Sequence, residues 1–250
     1  MATVAERFVT DGEPLRLDAG EIHVWSVAVD PGVAAMPRLM ALLSSSEQHR
    51  ARRYVFESVQ RRFVAARAAL RLLAGRYLAM PAEVVRFAYG PNGKPHLSPP
   101  DAARLRFNVS HSHDLALFAF CAEEELGVDV EWRHDITSAD QIVRRMFCPE
   151  EVAEWFSLPD DQRRRGFFDC WTRKEAFVKA LGRGLEVPLD AFRVAFRPGE
   201  QPAVRWRKDR RHEQWSMFDV SPADDYSAAL AVRGSGWRVT RLVSETSDAG

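Results

Sequence analysis

The sequence predicts an α+β fold made of two units of similar plan. In each half, a strand pattern leads into helical patterns and then into several short strands. The halves meet at three consecutive glutamates, Glu123 to Glu125, which read as a solvated turn. The chain has 250 residues, 46% of them hydrophobic, enough for one large core or two smaller ones. This places the units at 1–124 and 125–250.

Residues 1–20 are polar and read as irregular, after which Ile22 to Val27 alternate as a strand does. Ser44 to Ser46 can cap a helix entering Glu47. From Gln60 to Leu78, Phe63, Leu70, Leu73 and Tyr77 recur at helical spacing among arginines. Val84 to Tyr89 reads as a strand, and Gly90 to Pro95 as a turn rich in glycine and proline. Short strands are expected at 105–109, 116–121 and 126–130, and helices at 139–146, 149–156 and 161–181, the last stopped by Gly182 and Gly184. Strand patterns return at 192–196, 203–206, 215–220, 228–232 and 238–242; the tail from Ser244 reads as disordered.

Composition narrows the function classes. Formal charge is zero, so no global field draws the protein to nucleic acid or to an acidic membrane. The basic segment from Arg50 to Arg76 is the one stretch that invites a nucleic-acid reading, and it carries no recognisable module. Cys121, Cys148 and Cys170 have neither metal-ligand spacing nor the even count of a disulfide framework, which fits a reducing cytoplasm. No basic-then-apolar leader and no membrane-length apolar run is visible, so a soluble cytoplasmic protein is expected. Only Lys94, Lys174, Lys179 and Lys208 among 35 basic residues are lysine. In so arginine-rich a chain, those positions point to a need for a compact ammonium.

The chemistry concentrates in three segments, 106–112, 127–131 and 171–179. Asp129 and Glu131 are two apart on a strand, so they share a face about 7 Å apart while Val128 and Val130 pack on the other. Phe167, Trp171, Val178 and Leu181 mark the packed face of the long helix, with Glu175 beside it and Lys179 four residues on. The bland alternatives are a solvated strand edge and an ordinary surface ion pair. Three hard oxygen donors without a histidine or cysteine cluster favour Mg²⁺ over zinc, and Mg²⁺ bound through a few carboxylates implies a phosphorylated ligand. Ser110, His111 and Ser112 follow the apolar Phe107 and Val109, where a terminal loop can present hydroxyls and an imidazole to a phosphate. His113 reads as loop surface.

Asn-Gly-Lys-Pro (92–95), Phe-Asn-Val-Ser-His-Ser (107–112), Gly-Val-Asp-Val-Glu (127–131) and Trp-x-x-Lys-Glu-Ala-Phe-Val-Lys (171–179) together resemble the 4′-phosphopantetheinyl transferases in order and spacing. The length resembles the surfactin-synthetase-activating group, in which one chain holds two similar halves related by a pseudo-two-fold with the active site in the cleft between them. The resemblance implies a monomer that transfers 4′-phosphopantetheine from coenzyme A to a serine of an apo acyl or peptidyl carrier protein. It implies that Asp129, Glu131 and Glu175 hold Mg²⁺, with Glu175 or a metal-bound water accepting the serine proton. Ser110, His111 and Lys179 would bind phosphates; Gly93, Lys94, Pro95 and Arg50 would contact the nucleotide and its 3′-phosphate. Some relatives carry a further lysine shortly before Arg50, where this chain has Glu47 and Gln48. Residues 138–147, with Ile142, Met146 and Phe147, offer either a carrier-facing helix or ordinary core. A Mg²⁺-dependent nucleotide phosphohydrolase and a non-catalytic binding module are the competing readings.

Overall fold

Two helices of 22 residues each lie outside two sheets that pack face to face, and strand alternation decides what each side chain meets. The structure, a computed structural model, describes residues 4–9, 15–206 and 214–244. In chain order the strands are β1 (Val4–Val9), β2 (Glu21–Ala28), β3 (Phe87–Tyr89), β4 (Pro95–Leu97), β5 (Arg106–Ser112), β6 (Leu115–Cys121), β7 (Leu126–Trp132), β8 (Phe192–Val194), β9 (Val204–Trp206), β10 (Trp215–Asp219), β11 (Tyr226–Arg233) and β12 (Arg238–Ser244). The helices are α1 (Met36–Ala41), α2 (Ser45–Arg52), α3 (Glu57–Leu78), α4 (Ala139–Met146), α5 (Pro149–Phe156) and α6 (Asp160–Leu181). Among the described residues, no helix is long and apolar enough to cross a membrane.

The first sheet runs β1-β12-β2-β6-β5 and the second β10-β11-β7. On the first, Trp25, Phe118 and Phe120 face α3 and pack with Leu70 and Leu73 of that helix. The alternate positions Ile22, Val24, Leu117 and Ala119 face inward, against Val128, Val130 and Leu230 of the second sheet. The outer face of the second sheet carries Gly127, Asp129, Ala229 and Ala231, and α6 lies on it. Each fully buried leucine or phenylalanine contributes about 1.5–3 kcal/mol, so the inner layer and the two helix-facing layers all count.

The edge strands β5 and β7 form a seam made by side chains. Asn108 Oδ1 accepts from the Val128 amide at 2.8 Å, and Ser112 Oγ from the Trp132 amide at 3.1 Å. Asn108, Ser110 and Ser112 therefore stand on one face of a strand running through Ser112, where a terminal loop was expected, and His111 falls on the other. The hairpin turn comes after them, at His113 with φ 53°.

Three further expectations change. Residues 4–9, read as irregular, form β1, which pairs parallel with β12. Strand β12, which falls in the second half of the sequence, pairs with β2 in the first sheet. Residues 82–84 form a 3-10 turn, which shortens the strand expected from Val84 to 87–89. Lys208 and residues 245–250 lie outside the described residues.

The helix starts and stops follow their sequence signals. Ser44 and Glu47 make a reciprocal capping box on α2, and α6 ends at Gly182 with φ 69°. Glu47 also reaches inward: it accepts from Arg67 and, at 2.7 Å, from Arg71, which donates in turn to the carbonyls of Ala82 and Val85. Glu47 is thus a buried tie between α2 and α3.

Candidate active site

Gly127 sets the distance between α6 and β7. A Cβ there would lie 2.0 Å from the Ala176 carbonyl and 2.4 Å from the Ala180 amide, so only glycine lets the helix rest directly on the strand. That approach suspends Glu175 and Lys179 over Asp129 and Glu131.

Lys179 joins the elements. Its ammonium donates to Asp129 Oδ1 at 2.6 Å, to Ser110 Oγ at 3.0 Å and to the Val128 carbonyl at 3.2 Å. Ser110 gives its own proton to Asp129 Oδ1 at 2.9 Å, and Ser112 donates to Glu131 Oε2 at 2.7 Å. Asp129 is 4% exposed and its second oxygen, Oδ2, is buried without a partner. A buried carboxylate oxygen left in that state invites a cation.

Electrostatics ties the three acids together. Burial pushes the Glu175 carboxyl up from its ordinary value, and the charges of Asp129 and Glu131 push it further while Lys179 opposes them. Glu131 is also raised, by burial first and by Asp129, against the Ser112 hydrogen bond and Lys179. His111 is at the surface, but the protein packed along its inner edge desolvates the imidazolium and Lys179 repels it, so its pKa is lowered. The ring is therefore biased toward its neutral form, opposite to a standing cation.

As placed, the side chains do not form a closed ligand set: among the described residues, no three histidine, cysteine, aspartate or glutamate side chains are grouped to hold a metal ion. Two acids already have nearer partners, Asp129 in Lys179 and Ser110, and Glu131 in Ser112.

A cavity of about 520 Å³ adjoins this cluster. One wall is the turn Asn92 to Pro95; the other is α6, through Trp171, Glu175, Val178 and Lys179. Gly93, Lys94 and Pro95 thus line one cavity with Glu175 and Lys179. Trp171, expected on the packed face, is half-buried and faces this cavity. Arg50 is not brought to it; its guanidinium stands 5.2 Å from the Phe63 ring, on the exposed side of α2. Met146 lines the cavity, whereas Phe147 is 3% exposed and belongs to the core. His113 stacks on Trp132 with centroids 4.7 Å apart.

Sequence reasoning passed over Asn108 and Gly127. Both had a signal, since Asn108 is in period with Ser110 and Ser112, and Gly127 with Asp129 and Glu131.

Comparison with known proteins gives a consistent result. A family described as the 4′-phosphopantetheinyl transferase superfamily matches residues 125–231, and one described as 4′-phosphopantetheinyl transferase, N-terminal, matches 28–123. The 4′-phosphopantetheinyl transferase HetI of a Nostoc species is 38% identical over 225 residues, which is 90% of this chain and 92% of the relative. A putative 4′-phosphopantetheinyl transferase of a Synechocystis species is 33% identical over 84% of this chain and 86% of its own. The 4′-phosphopantetheinyl transferase Sfp of Bacillus subtilis is 28% identical over 74% and 80%. With similarity of this extent running through both halves, the chain belongs to the 4′-phosphopantetheinyl transferase superfamily.

Proposed function

We propose that the protein transfers 4′-phosphopantetheine from coenzyme A to a serine hydroxyl of an apo carrier protein and releases 3′,5′-ADP. The observation that carries this reading is the Lys179–Asp129–Ser110 knot, with Glu175 above it, opening on a cavity walled by Asn92 to Pro95. Family membership supplies the reaction class.

The acids fit Mg²⁺. Asp129 offers a buried oxygen without a partner, and Glu131 and Glu175 are held above their ordinary pKa by burial and mutual repulsion, which a divalent cation relieves. Bound by Asp129, Glu131 and Glu175, it would neutralise charge on the diphosphate. Lys179 adds a fixed cation for the same oxygens, preorganised by its bonds to Asp129, Ser110 and Val128. Glu175, which lines the cavity one helical turn before Lys179, takes the proton from the acceptor serine. The serine oxygen bonds to the β-phosphorus as the bond from that phosphorus to the leaving nucleotide oxygen breaks, with no covalent enzyme intermediate. Ser110 and His111 serve the phosphates, and Gly93, Lys94 and Pro95 wall the nucleotide. In this reading the units divide near residue 124, and one chain suffices, acting as a cytoplasmic monomer without nucleic-acid or membrane partners.

The test is to incubate the protein with CoA, Mg²⁺ and an apo carrier domain and weigh the carrier. A gain of about 340 Da, the mass of the transferred group, is expected. Phosphate release without any carrier modification would favour a nucleotide phosphohydrolase instead.

A further inference from the structure

Lys94 lies in the turn that walls the cavity, the position where a direct phosphate ligand was expected, yet its ammonium is already committed. It donates to Glu125 Oε2 at 2.8 Å, to the Lys179 carbonyl at 3.1 Å and to the Leu126 carbonyl at 3.2 Å. Those three acceptors use all three N–H groups of a lysine. They also belong to the two places that matter for assembly: Glu125 and Leu126 begin the second half of the chain, and Lys179 is in the last turn of α6. The same turn holds that helix end a second time, through Asn92 Nδ2 to the Gly182 carbonyl at 3.4 Å. Lys94, with Pro95 and Gly182, also lines a second cavity of about 280 Å³ that reaches Arg106 and Phe107.

Resting on the transferase reading above, we propose that Lys94 is a positioning residue: it ties the C-terminal turn of α6 to the first unit and so fixes the height of Lys179 over Asp129, while its charge is spent on protein oxygens. The three acceptors converge on a single nitrogen. A guanidinium spreads its N–H groups over a wider plane, so an arginine here would have to push the α6 terminus away.

The test uses Lys94→Met and the charge-retaining Lys94→Arg, with CoA and dephospho-CoA, which lacks only the 3′-phosphate, as paired probes. Calorimetry gives both affinities, and the carrier mass assay gives kcat. Both variants are expected to lose at least tenfold in kcat, because Lys179 is displaced, with the affinity ratio of CoA to dephospho-CoA as in the wild type. A ratio that collapses in Lys94→Met and survives in Lys94→Arg would make Lys94 a phosphate ligand and overturn the proposal. So would variants that melt earlier but turn over normally below the melting range. Should Lys94→Met fail to fold, Lys94→Arg still decides, since wild-type kcat in it contradicts the positioning role. A wild-type protein that binds CoA but never modifies the carrier counts against the transferase reading; the calorimetric ratio then still decides whether the Lys94 charge is spent on protein oxygens, and its collapse in Lys94→Met overturns that.

Discussion

Lys174 donates to Glu151 across 2.7 Å, and both side chains are wholly buried. The ammonium also reaches the carbonyls of Leu189 at 2.7 Å and Phe192 at 2.9 Å, so it too has three oxygen acceptors. Glu151 in turn accepts from the amides of Cys148 and Val194, at the head of α5 and in β8. The pair stitches α6 to α5 and to the segment that carries Pro188 and Leu189 into the cavity wall. Lys174→Met leaves a buried carboxylate without its counter-charge and is expected to cost about 3–5 kcal/mol, read as a lower urea midpoint. Lys174→Met combined with Glu151→Gln is expected to recover much of that loss; no recovery would mean that the charge pair is not what the single substitution disrupts.

Gly127→Ala tests the contact between α6 and β7. The added methyl meets helix backbone, which cannot swing aside as a side chain can, so the helix must lift. Overpacking of this kind costs about 1–3 kcal/mol. Transfer activity is expected to fall more than tenfold in protein that remains folded at assay temperature, since Lys179 and Glu175 rise with the helix. Unchanged activity in a carrier mass assay would show that the spacing has slack.

Glu175 links function and stability with opposite sign. Its pKa is higher folded than the ordinary 4.5, so the folded state holds that proton more tightly than the unfolded chain does. The group therefore weakens the fold progressively as pH rises from 4.5 through its raised value. In EDTA at neutral pH, Glu175→Gln is expected to melt at a higher temperature than the wild type while its transferase activity is lost. Mg²⁺ is expected to raise the wild-type melting temperature at neutral pH and less so near pH 4.5, where protonation has already relieved the repulsion. A variant that melts no higher than wild type would refute the repulsion among the three acids.

His111 offers a spectroscopic check. Its pKa in the free protein is lowered from the ordinary 6.5 by desolvation and by Lys179. A phosphate placed beside the ring stabilises the imidazolium, so saturation with CoA is expected to move the titration of this histidine upward in an NMR pH series. A pKa that stays put or falls would remove His111 from the phosphate contacts.

Much of this architecture was legible because local periodicity and local partners coincide. Residues 22–27 alternate and form β2; Phe63, Leu70, Leu73 and Tyr77 mark α3; Gly182 stops α6. What escaped was set by neighbours distant in sequence. Strand β1 forms beside β12, more than two hundred residues on, and nothing within residues 4–9 announces that. Ser110 and Ser112 resembled a strand end because polar residues rarely continue a buried strand, yet here the adjoining strand presents Asp129 and Glu131 to them. Trp171 was assigned to the packed face by its helical spacing with Phe167, and it does stack on Phe167, but it also lines the cavity beside Glu175 and Lys179. The scarcity of lysine was informative beyond the site itself: Lys94, Lys174 and Lys179 each gather three oxygen acceptors around one compact ammonium nitrogen.

The return of β12 to the first sheet makes the two halves mutually dependent. Strand β2 has β6 on one side and β12 on the other, so a fragment cut at the glutamate turn would expose an open edge where Ile22 to Ser26 now find partners. Neither fragment 1–124 nor fragment 125–250 holds the whole of the first sheet, so the two are expected to need each other to fold.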